Sequence, residues 1–316
     1  MSNMCRNRTG MEIHMIYCGW DGGGTKTEVC LLDDTGRTKT AVFGPLNPNG
    51  ATRDRVPETV KDCVNYMKEQ AGSLDAVGGL VVGMAGISNQ SARSLVEKAL
   101  ADAGWTGPLR LLGDQEIALT GALEGPGLLL IAGTGSVCCG RDAGGNLFRV
   151  GGYGYLIDDG GSGWAIGREI LAAVVRAEDG RESATVFTDW VFRRLNIASV
   201  PELITWLYAP ETGKREVAAL ASLLPDALAQ GDEAAEAIAA NAANDLAEMA
   251  ETGWKKSGLE KGDLALTGSI LQQIPAIREA LETRLARSCP LLRITLPMAT
   301  PAEGAAKIAQ KIFAKQ

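Results

Sequence analysis

The apolar positions in the first third of the chain alternate between strand-like runs and helix-like spacing. An apolar run at residues 16–20 enters a glycine-rich turn, another at residues 29–32 leaves it, and a turn signal at residues 33–36 precedes a third strand. Beyond these, the pattern predicts a helix over 56–67, a strand over 76–84, a helix over 91–103 and a strand over 109–112. This order predicts an α/β fold that opens with a three-stranded meander.

The turn between the first two strands reads Asp21-Gly22-Gly23-Gly24-Thr25-Lys26. It is not a P-loop, because Thr25 separates Gly24 from Lys26, and no helix follows it as in a dinucleotide fingerprint. Three consecutive glycines suit a backbone that adopts open dihedrals and lets an anion reach its amides. The turn therefore predicts a phosphate site, with Asp21 as a partner for a divalent cation. An ordinary glycine-rich hairpin turn is the alternative.

The same organisation returns in the middle of the chain. An apolar run at residues 127–132 breaks at Gly133-Thr134-Gly135-Ser136, resumes at residues 137–139 and meets a second turn signal at residues 142–146. Two hairpins of this kind predict two related halves, each of which binds one end of a polyphosphate.

Composition is typical of an intracellular enzyme. The chain has 316 residues, of which 46% are hydrophobic and 22% charged, enough for roughly two domains with substantial cores. The sequence contains no apolar run of membrane-spanning length, and residues 1–15 lack a hydrophobic signal core, so we expect a cytoplasmic protein without a membrane partner. A net charge of -7 without a basic cluster argues against a nucleic-acid partner.

The single histidine, His14, lies in the N-terminal tail, so proton transfer falls to a carboxylate, or else to a lysine or tyrosine. Asp114 follows the strand predicted at residues 109–112, at the strand end where α/β proteins bind their ligands. Asp114 also suits the N-cap of a helix predicted over residues 117–123, and the two roles are compatible. The seven cysteines form no C-x-x-C pair and are expected to be reduced and buried.

Two later segments are read mainly from their composition. Residues 150–167 form a glycine-rich loop that enters a helix, with a flexible connector as the alternative. Residues 172–258 are alanine-rich and helical, and we assign this region to core packing. Its aromatic residues fit either a core or a dimer surface, so a homodimer stays open.

Six motifs together resemble a known family. In order and spacing they are similar to the N-acetylglucosamine kinase and glucosamine kinase branch of the BadF/BadG/BcrA/BcrD-type ATPases. That branch lies within the superfamily of actin, the heat-shock ATPases and the sugar kinases. The motifs, which span residues 16–309, are IYCGWDGGGTKTEVCLLDDTG, LLGDQEIALTGAL, LLLIAGTGSVCCG, GGYGYLIDDGGSGWAIG, LALTGSILQQ and ATPAEGAAKIA.

The resemblance implies an α/β protein of two actin-like ATPase (ribonuclease H-like) domains, each with a five-stranded sheet, and a ligand cleft between them. The first domain is expected at residues 11–123 plus 301–316, after a flexible tail at residues 1–10. The second is expected at residues 124–300, with a helical insertion.

The implied activity is ATP-dependent phosphorylation of a small-molecule amino sugar at its 6-hydroxyl, with ATP and Mg²⁺ as cofactors. N-acetylglucosamine is favoured, and glucosamine and N-acetylmuramate are the alternatives. The resemblance assigns Asp114 as the general base and Asp21 to the metal. The expected nucleotide contacts are Gly22, Gly23, Gly24, Thr25, Lys26, Gly133, Thr134, Gly135, Gly268 and Ser269. The expected sugar contacts are Asn47, Asp114, Thr134, Gly135, Ser136, Tyr153 and Asp159.

Two positions depart from the mammalian members of the family. Tyr153 stands where they carry tryptophan in a Gly-Gly-Trp-Gly string, and Gly160 stands where they carry glutamate. Both positions belong to the pocket that reads the sugar's 2-substituent, so the choice between an N-acetyl group and a free amine stays open.

Two other functional classes share parts of this pattern. An ATP-driven activator of an acyl-CoA dehydratase or reductase has similar hairpins but needs surface cysteines for a bridging iron–sulfur cluster. A sugar-sensing regulator of the repressor/kinase group usually carries a Cys-His zinc motif and often a DNA-binding arm, and this sequence has neither.

Overall fold

The computed structural model describes residues 15–48 and 52–314. The predicted tail at residues 1–10 and His14 lie outside the described residues. The chain divides into two compact units, the first comprising Met1–Gly125 with Pro297–Gln316 and the second comprising Pro126–Leu296.

The first unit is built on a mixed five-stranded sheet in the order β3-β2-β1-β4-β5. Its elements are β1 (Ile16–Gly22), β2 (Thr27–Asp33), β3 (Thr38–Phe43), α1 (Val56–Ala71), β4 (Val77–Met84), α2 (Gln90–Asp102), β5 (Leu109–Leu112), α3 (Asp114–Ala122) and the C-terminal helix, which is named α12 (Pro301–Phe313) from its place in the whole chain. Strands β1, β2 and β3 pair antiparallel, whereas β4 pairs parallel with both β1 and β5.

Both faces of this sheet are covered, and β1 contributes to both cores. Cys18 and Trp20 pack with the apolar faces of α1 and α2. Tyr17, on the opposite face of the strand, packs with Val81 and Ile117. This division follows from the two-residue period of a strand, which points successive side chains to opposite faces.

Helix α12 approaches the sheet and α3 at backbone distance, and glycine makes this approach possible. A Cβ at Gly19 in β1 would lie 2.1 Å from the Ala306 backbone nitrogen. A Cβ at Gly304 would lie 2.2 Å from the Ile117 carbonyl oxygen, and one at Gly121 would lie 2.3 Å from the Thr300 carbonyl oxygen. The C-terminal helix is therefore an integral layer of the first unit.

The second unit repeats the topology of the first. Its elements are β6 (Gly127–Ala132), β7 (Ser136–Arg141), β8 (Leu147–Val150), α4 (Gly163–Glu178), α5 (Phe187–Leu195), α6 (Val200–Leu207), α7 (Lys214–Ala218), α8 (Leu224–Ala229), α9 (Glu233–Ser257), β9 (Gly262–Thr267), α10 (Ser269–Gln273), α11 (Pro275–Ser288) and β10 (Leu292–Thr295). The sheet order is β10-β9-β6-β7-β8, with an antiparallel meander from β6 to β8 and parallel pairs β6–β9 and β9–β10. Numbered within each unit, both sheets read 3-2-1-4-5.

The second unit's core lies between its sheet and its helices. Leu128 and Leu130 of β6 pack in one cluster with α4, α9 and α11. The long helix α9 is capped at its start by Asp232, whose side chain accepts a hydrogen bond from the Ala235 N–H, and at its end by Gly258, which lies in the left-handed region. Its buried stripe is largely alanine, which lets the helix lie close to the sheet.

The hydrophobic pattern predicts these elements well. The meander, the helices at residues 56–67 and 91–103, the strands at residues 76–84 and 109–112, and the two-sheet α/β architecture are confirmed. The prediction that Asp114 caps α3 is wrong by one position. Gly113 is the N-cap and Asp114 is the first helical residue, because the last strand residue, Leu112, leaves room for only one connecting residue.

Within the described part of the chain, no helix combines the length and the apolar composition needed to cross a membrane.

Adding one methyl group at Gly304 tests the packing of α12. We expect Gly304→Ala to lower the free energy of unfolding by at least about 2 kcal/mol, because overpacking outweighs the better helix propensity of alanine. Gly125→Ala is the matched control, since its Cβ meets open space. The control should change stability by less than about 1 kcal/mol in urea unfolding. Equal effects of the two substitutions would contradict the close packing.

Candidate active site

The first glycine turn closes the β1–β2 hairpin. Gly22 pairs with Thr27, and the Gly23 N–H donates to the Lys26 carbonyl oxygen at 2.9 Å. The following loop is tied to this turn, because the Leu46 N–H donates to the Gly23 carbonyl oxygen at 3.0 Å. This contact brings the next residue, Asn47, to the same side of the unit as the turn.

The prediction that these glycines adopt open dihedrals is wrong for Gly22 and Gly23, neither of which lies in the left-handed region. The reason for glycine here is space. A Cβ at Gly22 would lie 2.8 Å from Leu46 Cδ2, and one at Gly23 would lie 3.0 Å from the Lys26 carbonyl oxygen. A side chain at Gly22 would therefore crowd Leu46, and one at Gly23 would crowd the turn itself, so the turn offers its backbone to a ligand.

Carboxylates gather beside this turn. Asp21 lies at the end of β1, opposite Glu28 on β2, and Asp114 begins α3 directly after β5. Burial, followed by the negative charges of Asp114 and Glu28, raises the pKa of Asp21 from 3.8 to about 6, while Lys26 opposes the shift. The Asp114 carboxylate is held in part by the next residue, since the Gln115 N–H donates to Asp114 Oδ1 at 3.0 Å.

This arrangement suits a cation whose other ligands come from elsewhere. Among the described residues, no group of three or more Asp, Glu, His or Cys side chains converges as a complete metal site. Magnesium commonly takes one or two carboxylates and completes its shell with phosphate oxygens and water. Asp21, with Asp114 nearby, fits that pattern, because a divalent cation would offset both the burial and the repulsion that raise the pKa of Asp21.

The second glycine turn closes the β6–β7 hairpin in the equivalent position of the second unit. The Gly133 N–H donates to the Gly135 carbonyl oxygen at 2.9 Å. The start of α4 is bonded to the turn, since the Gly163 N–H donates to the Gly133 carbonyl oxygen at 2.7 Å. The glycine-rich loop before α4 is thereby fixed against the turn and is not a free connector.

Ser136 and Asp159 stabilise this loop. The buried Ser136 hydroxyl donates to the Gly160 carbonyl oxygen at 2.7 Å. Asp159, which is 3% exposed, has a φ of +65°, an uncommon value for a residue other than glycine. Its Oδ2 accepts a hydrogen bond from Lys214 Nζ at 2.6 Å. A Cβ at Gly135 would lie 2.7 Å from that nitrogen, so Asp159, Lys214 and Gly135 meet at one point.

A cavity of about 370 Å³ opens beside the second turn. Gly133 and Thr134 lie at one side, Ser269 and Ile270 at another, and Arg215 of α7 contributes a cation. Mixed apolar and polar walls of this kind suit a nucleoside. Gly268, which precedes Ser269, must be glycine for two reasons. Its φ is +103°, and a Cβ at this position would lie 2.2 Å from the Ala132 carbonyl oxygen.

The two departures from the family pattern meet in a different cavity, of about 640 Å³, which Tyr153 and Gly160 both line. The Tyr153 ring is exposed and lies under the Arg149 guanidinium at 4.2 Å. At Gly160, a Cβ would lie 2.7 Å from Asp245 Oδ2, so the Asp245 carboxylate occupies the space that a side chain at position 160 would need. Glycine at this position is thus a consequence of α9 packing.

The structure brings the predicted residues together in two groups. Within the first unit, Asp21, the first glycine turn, Asn47 and Asp114 lie on one side. Within the second unit, the second glycine turn, Asp159, Gly268 and Ser269 converge, while Tyr153 lines the separate cavity. Sequence reasoning missed Lys214 and Arg215, because they belong to a helical region that periodicity assigned to packing, and no motif marks them.

Comparison with known proteins finds a family model and two relatives that match most of this chain. The sequence model of the BadF/BadG/BcrA/BcrD ATPase family matches residues 18–309. An N-acetylmuramic acid/N-acetylglucosamine kinase from Clostridium acetobutylicum is 29% identical over 297 residues, covering 92% of this chain and 97% of that protein. An N-acetyl-D-glucosamine kinase from Dictyostelium discoideum is 29% identical over 310 residues, covering 93% and 97%.

A solved structure gives the same picture of the fold. A proposed N-acetylglucosamine kinase from Chromobacterium violaceum superposes with a TM-score of 0.75 at 24% identity, covering 94% of this chain and 99% of that one. This likeness confirms the predicted α/β fold.

The raised pKa of Asp21 predicts a pH-dependent cost to stability. The folded protein binds a proton at Asp21 that the unfolded chain releases near pH 3.8, so stability falls as pH rises through about 6. We expect Asp21→Asn to raise the free energy of unfolding of the metal-free protein at about pH 8 by roughly 1 to 3 kcal/mol, and to have little effect near pH 4.

Urea unfolding in the presence of a chelator measures this difference. Asp62→Asn, which removes an exposed carboxylate from α1, is the control and should show no comparable gain. A gain that is equal at both pH values would show that Asp21 is not the titrating group.

Proposed function

The chain belongs to the BadF/BadG/BcrA/BcrD ATPase family, and from this we propose that it transfers the γ-phosphoryl group of ATP to the 6-hydroxyl of an amino sugar. N-acetylglucosamine is the favoured substrate, because both full-length relatives described above carry that sugar in their names. Glucosamine and N-acetylmuramate are the alternatives within the same reaction.

The observation that carries this proposal is the repetition of one glycine-turn hairpin in two sheets of identical strand order. Phosphoryl transfer needs little covalent chemistry from a protein and depends on positioning and charge neutralisation. Backbone amides at residues 24–26 and at residues 134–135 are the proposed donors for phosphate oxygens. The cavity lined by Arg215 and Ser269 is of a suitable size and character for the adenosine.

Asp114 is the proposed general base. It follows β5, at the carboxyl edge of the parallel strands. Because it is the first residue of α3, the helix fixes the position of its backbone. It accepts the proton of the sugar hydroxyl as the new oxygen–phosphorus bond forms, while Asn47 and Asp159 are proposed to orient the sugar through hydrogen bonds. A magnesium ion held by Asp21 supplies neutralisation of phosphate charge when bound.

The state of the cysteines favours a kinase over an ATP-driven electron activator. Each of the six described cysteines is buried. An iron–sulfur cluster shared between two protomers needs thiolates at the protein surface. Burial also raises the pKa of Cys18, Cys63 and Cys138, which disfavours the thiolate form.

The substrate is tested by measuring ADP release from Mg-ATP with a panel of glucose, glucosamine, N-acetylglucosamine and N-acetylmuramate. We expect release to depend on the sugar, with the highest kcat/KM for N-acetylglucosamine and a 6-phosphate monoester as the product in phosphorus NMR. Sugar-independent ATP turnover by a brown protein with visible absorption would overturn the proposal.

The base is tested separately. We expect Asp114→Asn to lower kcat by at least about 100-fold with the sugar affinity nearly kept, because the hydroxyl proton loses its acceptor while the binding contacts remain. Asp62→Asn again serves as the control and should leave kcat unchanged. A near-normal kcat in Asp114→Asn would remove this residue from the role of base.

A further inference from the structure

Helix α7 brings two consecutive basic side chains to the second glycine turn. Lys214 contacts Asp159 and approaches Gly135, whereas Arg215 lines the cavity shared with Gly133 and Ser269. Both residues come from the alanine-rich helical region, which otherwise forms the core of the second unit. Two basic side chains at this turn therefore come from a segment whose sequence indicates only packing.

The contact between Lys214 and Asp159 is an enclosed ion pair. The Asp159 side chain is 4% exposed and that of Lys214 is 29% exposed, and their polar atoms lie 2.6 Å apart. A carboxylate removed from water needs a partner of opposite charge or several hydrogen bonds, and removal of one partner leaves an uncompensated charge. Lys214 thus satisfies a requirement that the burial of Asp159 creates.

The backbone of Asp159 is also held in an unfavourable conformation. Its φ of +65° places it in the left-handed region, where side chains other than those of Asn and Asp are rare. Hydrogen bonds on both sides hold it there, since the Asp159 carbonyl oxygen accepts from the Ser162 N–H at 3.2 Å and the Gly160 carbonyl oxygen accepts from Ser136. Such local strain persists where the surroundings over-determine it, typically at a ligand site.

The lysine itself has a defined position. Its ammonium lies between the Asp159 carboxylate and the Tyr155 ring, whose centroid is 5.7 Å away. The Tyr155 ring in turn packs against Trp164 at 5.2 Å between centroids. A lysine held by a carboxylate on one side and an aromatic face on the other has little freedom to rotate.

From these contacts we propose that Lys214 is a positioning residue for the sugar. It bonds Oδ2 of Asp159 and fixes the plane of the carboxylate, while Oδ1 retains its capacity to accept a hydrogen bond from a sugar hydroxyl. Lys214 acts through Asp159 and does not itself take part in phosphoryl transfer. This inference rests on the proposed amino-sugar kinase activity.

A double-mutant cycle tests the proposal. Lys214→Met, Asp159→Asn and the combined variant are compared with the wild type for KM of the amino sugar, KM of ATP and kcat. We expect Lys214→Met to raise the sugar KM by at least about 10-fold with the ATP KM changed by less than about 3-fold. Lys214→Arg, which keeps the charge, should recover most of the loss.

The combined variant decides whether Lys214 acts through Asp159. Because Lys214 acts through Asp159, Asp159→Asn with Lys214→Met should have a sugar KM within about 3-fold of Asp159→Asn alone. The combined variant buries no unpaired charge, so this comparison holds even where Lys214→Met folds poorly. Lys255→Met, which changes an exposed lysine on α9, is the control and should match the wild type.

Three results would overturn the inference. They are an unchanged sugar KM in a folded Lys214→Met variant, equal losses for sugar and ATP, and multiplicative effects in the combined variant. A wild-type protein that phosphorylates no amino sugar would instead contradict the proposed function, so the two failures are distinguishable.

Discussion

Close approach of backbone to backbone, which only glycine allows, is the constraint on which the rest of this structure depends. In the first unit it seats α12 on β1 at Gly19 and on α3 at Gly304. In the second unit, a Cβ at Gly268 would lie 2.2 Å from the Ala132 carbonyl oxygen. Glycine at this position therefore lets the start of α10 lie next to the second glycine turn. Because no side chain separates these backbone segments, the contacts fix where the elements that carry the cavities and the charged groups lie.

The same constraint links the fold to its chemistry. Glycine at the two hairpin turns keeps side chains away from backbone amides, and the identical order of the two sheets puts these turns in equivalent places. Charge then distinguishes the units. Carboxylates lie beside the first turn, where burial and then the charges of Asp114 and Glu28 raise the pKa of Asp21, whereas Lys214 and Arg215 lie beside the second. The proposed Mg-ATP substrate suits each environment taken by itself, since a metal cation fits the carboxylates of the first unit and anionic phosphate oxygens fit the basic side chains of the second.

Much of this was predictable from the sequence, for physical reasons. The strands and helices of the first third follow from hydrophobic periodicity, and the duplicated hairpin follows from two glycine turns between apolar runs. Three features were not predictable. The contact of Gly22 with Leu46 depends on a loop that packs against the turn, the cap of α3 depends on a one-residue connection, and Lys214 contacts Asp159, 55 positions earlier in the chain. Each is decided by tertiary contacts that leave no local pattern.

Amide hydrogen exchange, followed with and without a non-hydrolysable ATP analogue and Mg²⁺, is the most direct test of the idea that both glycine turns hold the nucleotide. Exchange at residues 24–26 and at residues 134–135 should slow together by at least about 10-fold when the nucleotide binds, because these N–H groups gain phosphate oxygens as acceptors. Protection at one turn alone, or at neither, would contradict a polyphosphate site built from the duplicated hairpin.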